Sequence, residues 1–268
     1  MDLSELSERD ATGEHRRIYA EIRRLGAVPM VALIFRHLAT LPGGIEWMWT
    51  ALGPAWRSGE LQETAWRIAR EARLSPIASI PAPALKALGV DDAALAEIHV
   101  AIEAYNRANP ENMLSVMCLS RLVAGHTGKE KQDDTGWTPP PAPGPLVPMG
   151  NIASLPQNVT ELLHLVAAPG ESGTPRVVQS LYRHFTHRPQ FLALAITLLR
   201  ERFDDGSVDA SATEIHTAMS RAADKIVKRL SAPPAPHPGI APVCERFGGG
   251  VIPQMIVVGR LLGDALPA

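Results

Sequence analysis

Residues 32–42 read ALIFRHLATLP and residues 179–189 read QSLYRHFTHRP, so an aromatic residue, an Arg-His pair and a closing proline occur twice. Arg36-His37 and Arg183-His184 could hold an anion from two sides. The plainer reading is structural, because a residue kept in both copies of a doubled unit is not what makes a site between them. His184 and His187 stand three residues apart and could share a metal. No carboxylate stands at helical spacing beside them, so hydrogen-bonded or solvated histidines are the expectation and no metal is called for. Asn109-Pro110-Glu111 reads as a helix start, with a capping Asn, Pro at the first helical position and Glu in the first turn. Such a start is also a ready anion site. Gly248-Gly249-Gly250 stands before a second apolar helix. It is either a flexible turn or a cradle that lets a carboxylate approach the backbone. Nucleophile-elbow, zinc-protease, phosphate-loop and dinucleotide motifs are not found in a convincing context.

These residues need elements to position them, and the chain reads as helical. Residues 58–73 place Leu61, Ala65, Ile68 and Ala69 on one stripe, the spacing of an amphipathic helix. Asp91 and Asp92 open a helix over 90–107. Residues 209–229 form another, acidic at the start and basic at the end, as the helix dipole favours. Trp47, Trp49, Trp56 and Trp66 crowd the first half and read as core packing. Alternating strand patterns are nearly absent, so the expected fold is all-α. Residues 127–149 turn polar and then Pro-rich, and three consecutive prolines cannot continue a helix, so they read as an extended connector.

The repeat gives the layout. A shift of 147 residues pairs Phe35 with Tyr182, Arg36 with Arg183, His37 with His184 and Pro42 with Pro189. Each half ends on a loop, a proline and an apolar helix. A period this long is a doubled domain rather than a solenoid, and two such halves pack most simply about an approximate twofold. The expected boundaries are a first repeat over 14–126, a connector over 127–156 and a second repeat over 157–268. Residues 1–13 read as a loose polar tail.

Composition narrows the function classes. The chain has 268 residues, 46% hydrophobic, with a formal net charge of −2; this is an ordinary globular balance. Nothing in it suits a phosphate backbone. No apolar run reaches the length of a membrane span, and the acidic start MDLSELSERD is wrong for a signal peptide. Two cysteines, Cys118 and Cys244, fit a reducing cytoplasm and exclude a cysteine zinc site. A homo-oligomer stays open.

Three segments, VPMVALIFRHLATLPG at 28–43, AYNRANP at 104–110 and VQSLYRHFTHRPQFL at 178–192, together with the doubled helical layout, resemble the group I 2-haloacid dehalogenases. The resemblance spans nearly the whole chain and rests on order and spacing. It implies two helical pseudo-repeats with the active site between them and no cofactor. The implied reaction hydrolyses the carbon–halogen bond of both enantiomers of small 2-haloalkanoic acids with inversion. In that family an Asp on a second-half helix activates water and an Asn from the first half holds it, a poised base with an in-line nucleophile. Residue by residue, the Asn falls on Asn109, with Asn106 as the earlier Asn of the same turn. The Ser-Asp pair falls on Ser180-Leu181, so the Ser is kept and the base is not. The aromatic pocket residues of the first half fall on Met30 and Leu33, and a further pocket Tyr falls on Cys244. Gly249 joins the expected substrate contacts. His184, one turn from Leu181 on about the same face, is the candidate replacement base, since neutral imidazole accepts a proton near pH 7. The alternative is a homologue that binds a small carboxylic acid without turnover, or that runs altered chemistry.

Overall fold

The computed structural model describes residues 4–128, 136–167, 178–248 and 250–267, and among these residues it contains helices and no strand. In chain order the helices are α1 (Gly13–Gly26), α2 (Leu33–Leu38), α3 (Gly44–Arg57), α4 (Glu60–Glu71), α5 (Ala82–Ala87), α6 (Asp92–Val123), α7 (Gln157–Val166), α8 (Ser180–His184), α9 (Pro189–Asp204), α10 (Ser207–Ile226), α11 (Ile240–Gly248) and α12 (Ile252–Ala265). No helix among the described residues is long and apolar enough to cross a membrane.

The spine is α6, 32 residues, or about 48 Å at the standard rise. Asp91 caps it, its side chain accepting from the Ala94 N–H at 2.8 Å. Every residue from Pro110 to Leu119 is buried, the signature of a helix surrounded on all sides. The neighbours are α12 above all, then α4, α10 and α11.

The helix start expected at Asn109-Pro110-Glu111 is not one. Pro110 lies inside α6, 19 residues beyond its cap at Asp91. A proline there removes the bond to the carbonyl four residues back and costs about 3 kcal/mol in an isolated helix. Burial of the flanking apolar run on every side offsets that, since tertiary packing rather than propensity supplies most helix stability.

The N-terminal residues are also not a loose tail over the part described. The Glu8 carboxylate accepts from Arg23 at 2.6 Å and from the Val31 N–H at 2.8 Å. The Tyr19 hydroxyl donates to the Leu6 carbonyl at 2.9 Å, and Ala11 is fully buried.

The two Arg-His pairs clasp extended chain in matching fashion. His37 Nδ1 donates to the Ser4 carbonyl at 2.7 Å and the Arg36 carbonyl accepts from the Leu6 N–H at 3.0 Å. In α8, His184 Nδ1 donates to the Val147 carbonyl at 2.6 Å and the Arg183 carbonyl accepts from the Gly150 N–H at 3.0 Å. Further along, Gly59 before α4 and Gly206 before α10 are both left-handed, with φ of 77° and 75°, a conformation that favours glycine. Ser58 Oγ accepts from the Glu60 N–H, and Asp205 Oδ1 accepts from the Ser207 N–H at the same place.

The Pro-rich stretch carries no regular structure from 136 to 151. It is pinned at both ends: Trp137 Nε1 donates to Glu63 at 3.1 Å, Arg107 donates to the Pro141 carbonyl at 2.7 Å, and His184 and His187 hold the Val147 and Pro148 carbonyls. Trp47, Trp49 and Trp56 are core residues, with Phe35 and Trp49 rings about 6 Å from Trp56.

Candidate active site

The short helix α8 lies against α6 and presents Ser180, Leu181 and His184 within its five residues. His184 is 9% exposed. Its Nδ1–H is committed to the Val147 carbonyl, which can only accept, so Nε2 carries the free lone pair. The Tyr105 hydroxyl donates to that Nε2 at 3.3 Å, with ring centroids 5.6 Å apart.

The electrostatics keep both partners neutral. Burial is the main cause that pushes His184 below its ordinary value; the bond to Val147 opposes it, and the neighbouring Arg183 and His187 add to it. Burial pushes the Tyr105 hydroxyl up to about 12, against weaker pulls from Ser180, Arg36 and Arg183. A neutral imidazole with one lone pair pointed at a phenol is a base, not a cation site.

The other expected residues are placed as follows. Asn109 is half-buried on α6, one turn beyond Tyr105 and so on the same face. Asn106 is pinned to α12, its Nδ2 donating to the Gly259 carbonyl at 3.1 Å. Leu181 is fully buried. Leu33 opens α2 and is 37% exposed, and Met30 sits half-buried in the turn before it. Cys244 is buried in α11, which packs on α2, and burial raises its thiol to about 12. It borders a cavity of about 200 Å³ shared with Met117 and Arg121, not with Asn109. Gly249 lies outside the described residues. Because Asn109 is mid-helix, it offers none of the free N–H groups of a helix start, so the anion site that such a start would provide is not formed there.

His184 is thus held between the Val147 carbonyl and Tyr105, a residue the sequence did not single out. A lone tyrosine four residues before Asn109 carries no spacing signal, and its partner is 79 positions away. His184 Nδ1 and His187 Nε2 each donate to a backbone carbonyl, those of Val147 and Pro148. No group of three or more His, Cys, Asp or Glu that could hold a metal occurs among the described residues.

Among the described residues the chain is all helical, and it sets a His–Tyr pair between α8 and α6 one helical turn from Asn109. No family model matches the sequence. A configuration-inverting 2-haloacid dehalogenase of Alcaligenes xylosoxydans xylosoxydans is 28% identical over 227 residues, 81% of this chain and 72% of that protein. Among solved structures, a D-2-haloacid dehalogenase mutant superposes with a TM-score of 0.73 at 14% identity, covering 98% of this chain and 95% of that one. A mutant in complex with D-2-CPA gives 0.69 at 13% identity, over 97% and 95% of the two chains. The fold is that of these proteins, and the chain is a relative of the 2-haloacid dehalogenases.

Proposed function

We propose that this chain is a hydrolase of the 2-haloacid dehalogenase type in which His184 replaces the missing carboxylate base. A water held by Asn109 attacks C2 of a small 2-halocarboxylic acid. The C–O bond forms as the carbon–halogen bond breaks, halide leaves with the bonding pair, and the water proton passes to His184 Nε2. The product is the 2-hydroxy acid with inverted configuration, as the name of the relative from Alcaligenes describes for that enzyme. Met30, Leu33, Ser180, Leu181, Cys244 and Gly249 are the proposed substrate contacts. The observation that carries this reading is the committed tautomer of His184, whose unprotonated Nε2 meets Tyr105, one helical turn before Asn109.

The doubled layout belongs to the same proposal, with halves over 14–126 and 157–268 joined by the 127–156 connector about an approximate twofold. Its support is the run of equivalent features in one register: the Arg-His clasps, the left-handed Gly59 and Gly206, and the Ser58 and Asp205 caps.

A second reading, carboxylate binding without turnover, is favoured by the complete burial of Leu181 where the family places its base. Halide release from racemic 2-chloropropionate separates the two. Release that His184→Ala abolishes supports the catalytic reading. Silence over a panel of 2-halo acids, with ligand binding by calorimetry, overturns it in favour of the second.

A further inference from the structure

A cavity of about 840 Å³ opens beside α8, lined by Tyr182 and Gln179 but by neither Asn109 nor His184. Its volume is in the range of small-molecule sites. The register of 147 residues says where it comes from. Tyr182 stands opposite Phe35, Ile196 opposite Trp49 and Phe203 opposite Trp56. In the first half these three side chains fill one space: the Trp49 and Trp56 rings lie 5.9 Å apart, Phe35 packs edge-on at 6.0 Å, and all three are at most 3% exposed. In the second half both indoles are gone. Ile196 and Phe203 line the cavity instead, and α7 packs on α9 as α1 packs on α3.

The lining has one side apolar and one side polar. Leu165, at the edge of the cavity on α7, is 59% exposed, unusual for a large apolar side chain here. Tyr182 is 1% exposed, and its hydroxyl and Gln179 Oε1, both without a hydrogen-bond partner among the described residues, are buried behind the cavity wall rather than open to it. A buried polar group left unpaired is costly. The charged groups at the cavity are Arg200, Asp204 and Asp209, with His216. Arg200 is held by Asp204 at 2.9 Å, and Asp209 accepts from Gln254. That balance is unfavourable to a carboxylate. Trp49 shows the complementary arrangement in the first half, its indole N–H donating to the Glu21 carboxylate at 2.7 Å.

We propose that this cavity is a second ligand site, for a flat aromatic molecule of about indole size that is neutral or carries an amine, seated where the first half places its own indoles. The inference rests on the pairing of the two halves, not on the chemistry at His184, so it stands or falls apart from the haloacid reading.

The test is titration of the full chain with indole, tryptamine and indole-3-acetate, followed by calorimetry and ligand-observed NMR. Saturable binding of indole and tryptamine is expected, with Kd of about 1 mM or tighter, the reach of so small a ligand. Indole-3-acetate is expected to bind more weakly. Ile196→Trp and, independently, Phe203→Trp restore the first-half side chains and are expected to cut affinity by about tenfold or more while the melting temperature holds or rises. No saturable binding by either neutral or amine probe, tighter binding of the acetate, or unchanged affinity in both folded variants would overturn the proposal.

Discussion

Tyr105 on α6 donates its hydroxyl to Nε2 of His184 on α8 at 3.3 Å, while the other imidazole nitrogen is spent on the Val147 carbonyl. The pair therefore holds the imidazole in one tautomer between α6 and α8. If His184 takes the proton in the haloacid reaction, His184→Ala lowers kcat by about 10²–10⁴, the usual worth of a general base. Tyr105→Phe leaves the base in place and lowers kcat less than His184→Ala. Steady-state halide release by the two variants checks this ordering.

The pH dependence follows from the direction of the His184 shift. Burial, its largest cause, lowers the pKa, so the neutral, active form persists below the ordinary value of about 6.5. The acid limb of the rate profile is expected to fall at a pH below that value. For stability the sign is the same. Between the lowered native value and about 6.5 the unfolded chain binds more protons, so stability contributed by this group rises with pH across that window and is lost below it. His184→Gln is expected to remove that part of the slope in denaturant midpoints measured from pH 5 to 7.

Leu181, which the proposed dehalogenase reading sets at the position of the carboxylate base, is fully buried. Leu181→Asp is therefore expected to destabilise the fold by about 3 kcal/mol, through loss of a buried apolar side chain and burial of a charge. If the pocket is otherwise intact, the same substitution raises halide release above the wild-type level. Unchanged release in a folded Leu181→Asp protein would mean the pocket itself has changed.

How much of this was legible without coordinates depends on range. The helix over 58–73 was readable because its stripe is local; Leu61, Ala65 and Ala69 are indeed buried. Asn109-Pro110-Glu111 looked like a helix start because local rules put proline there; only the neighbours packed around Pro110 allow the helix to continue. The acidic start looked like a tail because Glu5 and Glu8 read as solvated charges, whereas Glu8 bonds a backbone N–H 23 residues on. Tyr105 had no signature at all, since its meaning lies in a partner brought from the other half.

Glu111 is 1% exposed, and Oε2 stands 2.5 Å from where a Cβ on Gly26 would sit, so Ala there would collide with it. Burial raises its pKa well above the carboxylate range, against weaker pulls from Arg107 and Trp66. Native protein then keeps a proton that the unfolded chain releases above about 4.5, so stability from this group is full below that pH and falls as pH rises toward the native value. The slope is about 1.4 kcal/mol per pH unit for one proton. Glu111→Gln, which keeps shape and removes the titration, is expected to flatten the pH dependence of the urea midpoint above pH 5.

At Gly259, α12 lies close against Asn106 of α6. A Cβ there would overlap Asn106 Oδ1, the same side chain whose Nδ2 donates to the Gly259 carbonyl at 3.1 Å. The two helices form the most extensive contact in the fold, so neither can retreat without disturbing the core around Pro110. Gly259→Ala is expected to cost about 1–3 kcal/mol, the usual range for overpacking, read as a lower denaturant midpoint at unchanged slope. Asn106→Ala alone loses one interhelical hydrogen bond, worth about 1 kcal/mol. The double variant removes the collision along with the bond, so its loss is expected to be smaller than the sum of the two single losses. Additive losses would mean that the cost of Gly259→Ala does not arise at Asn106.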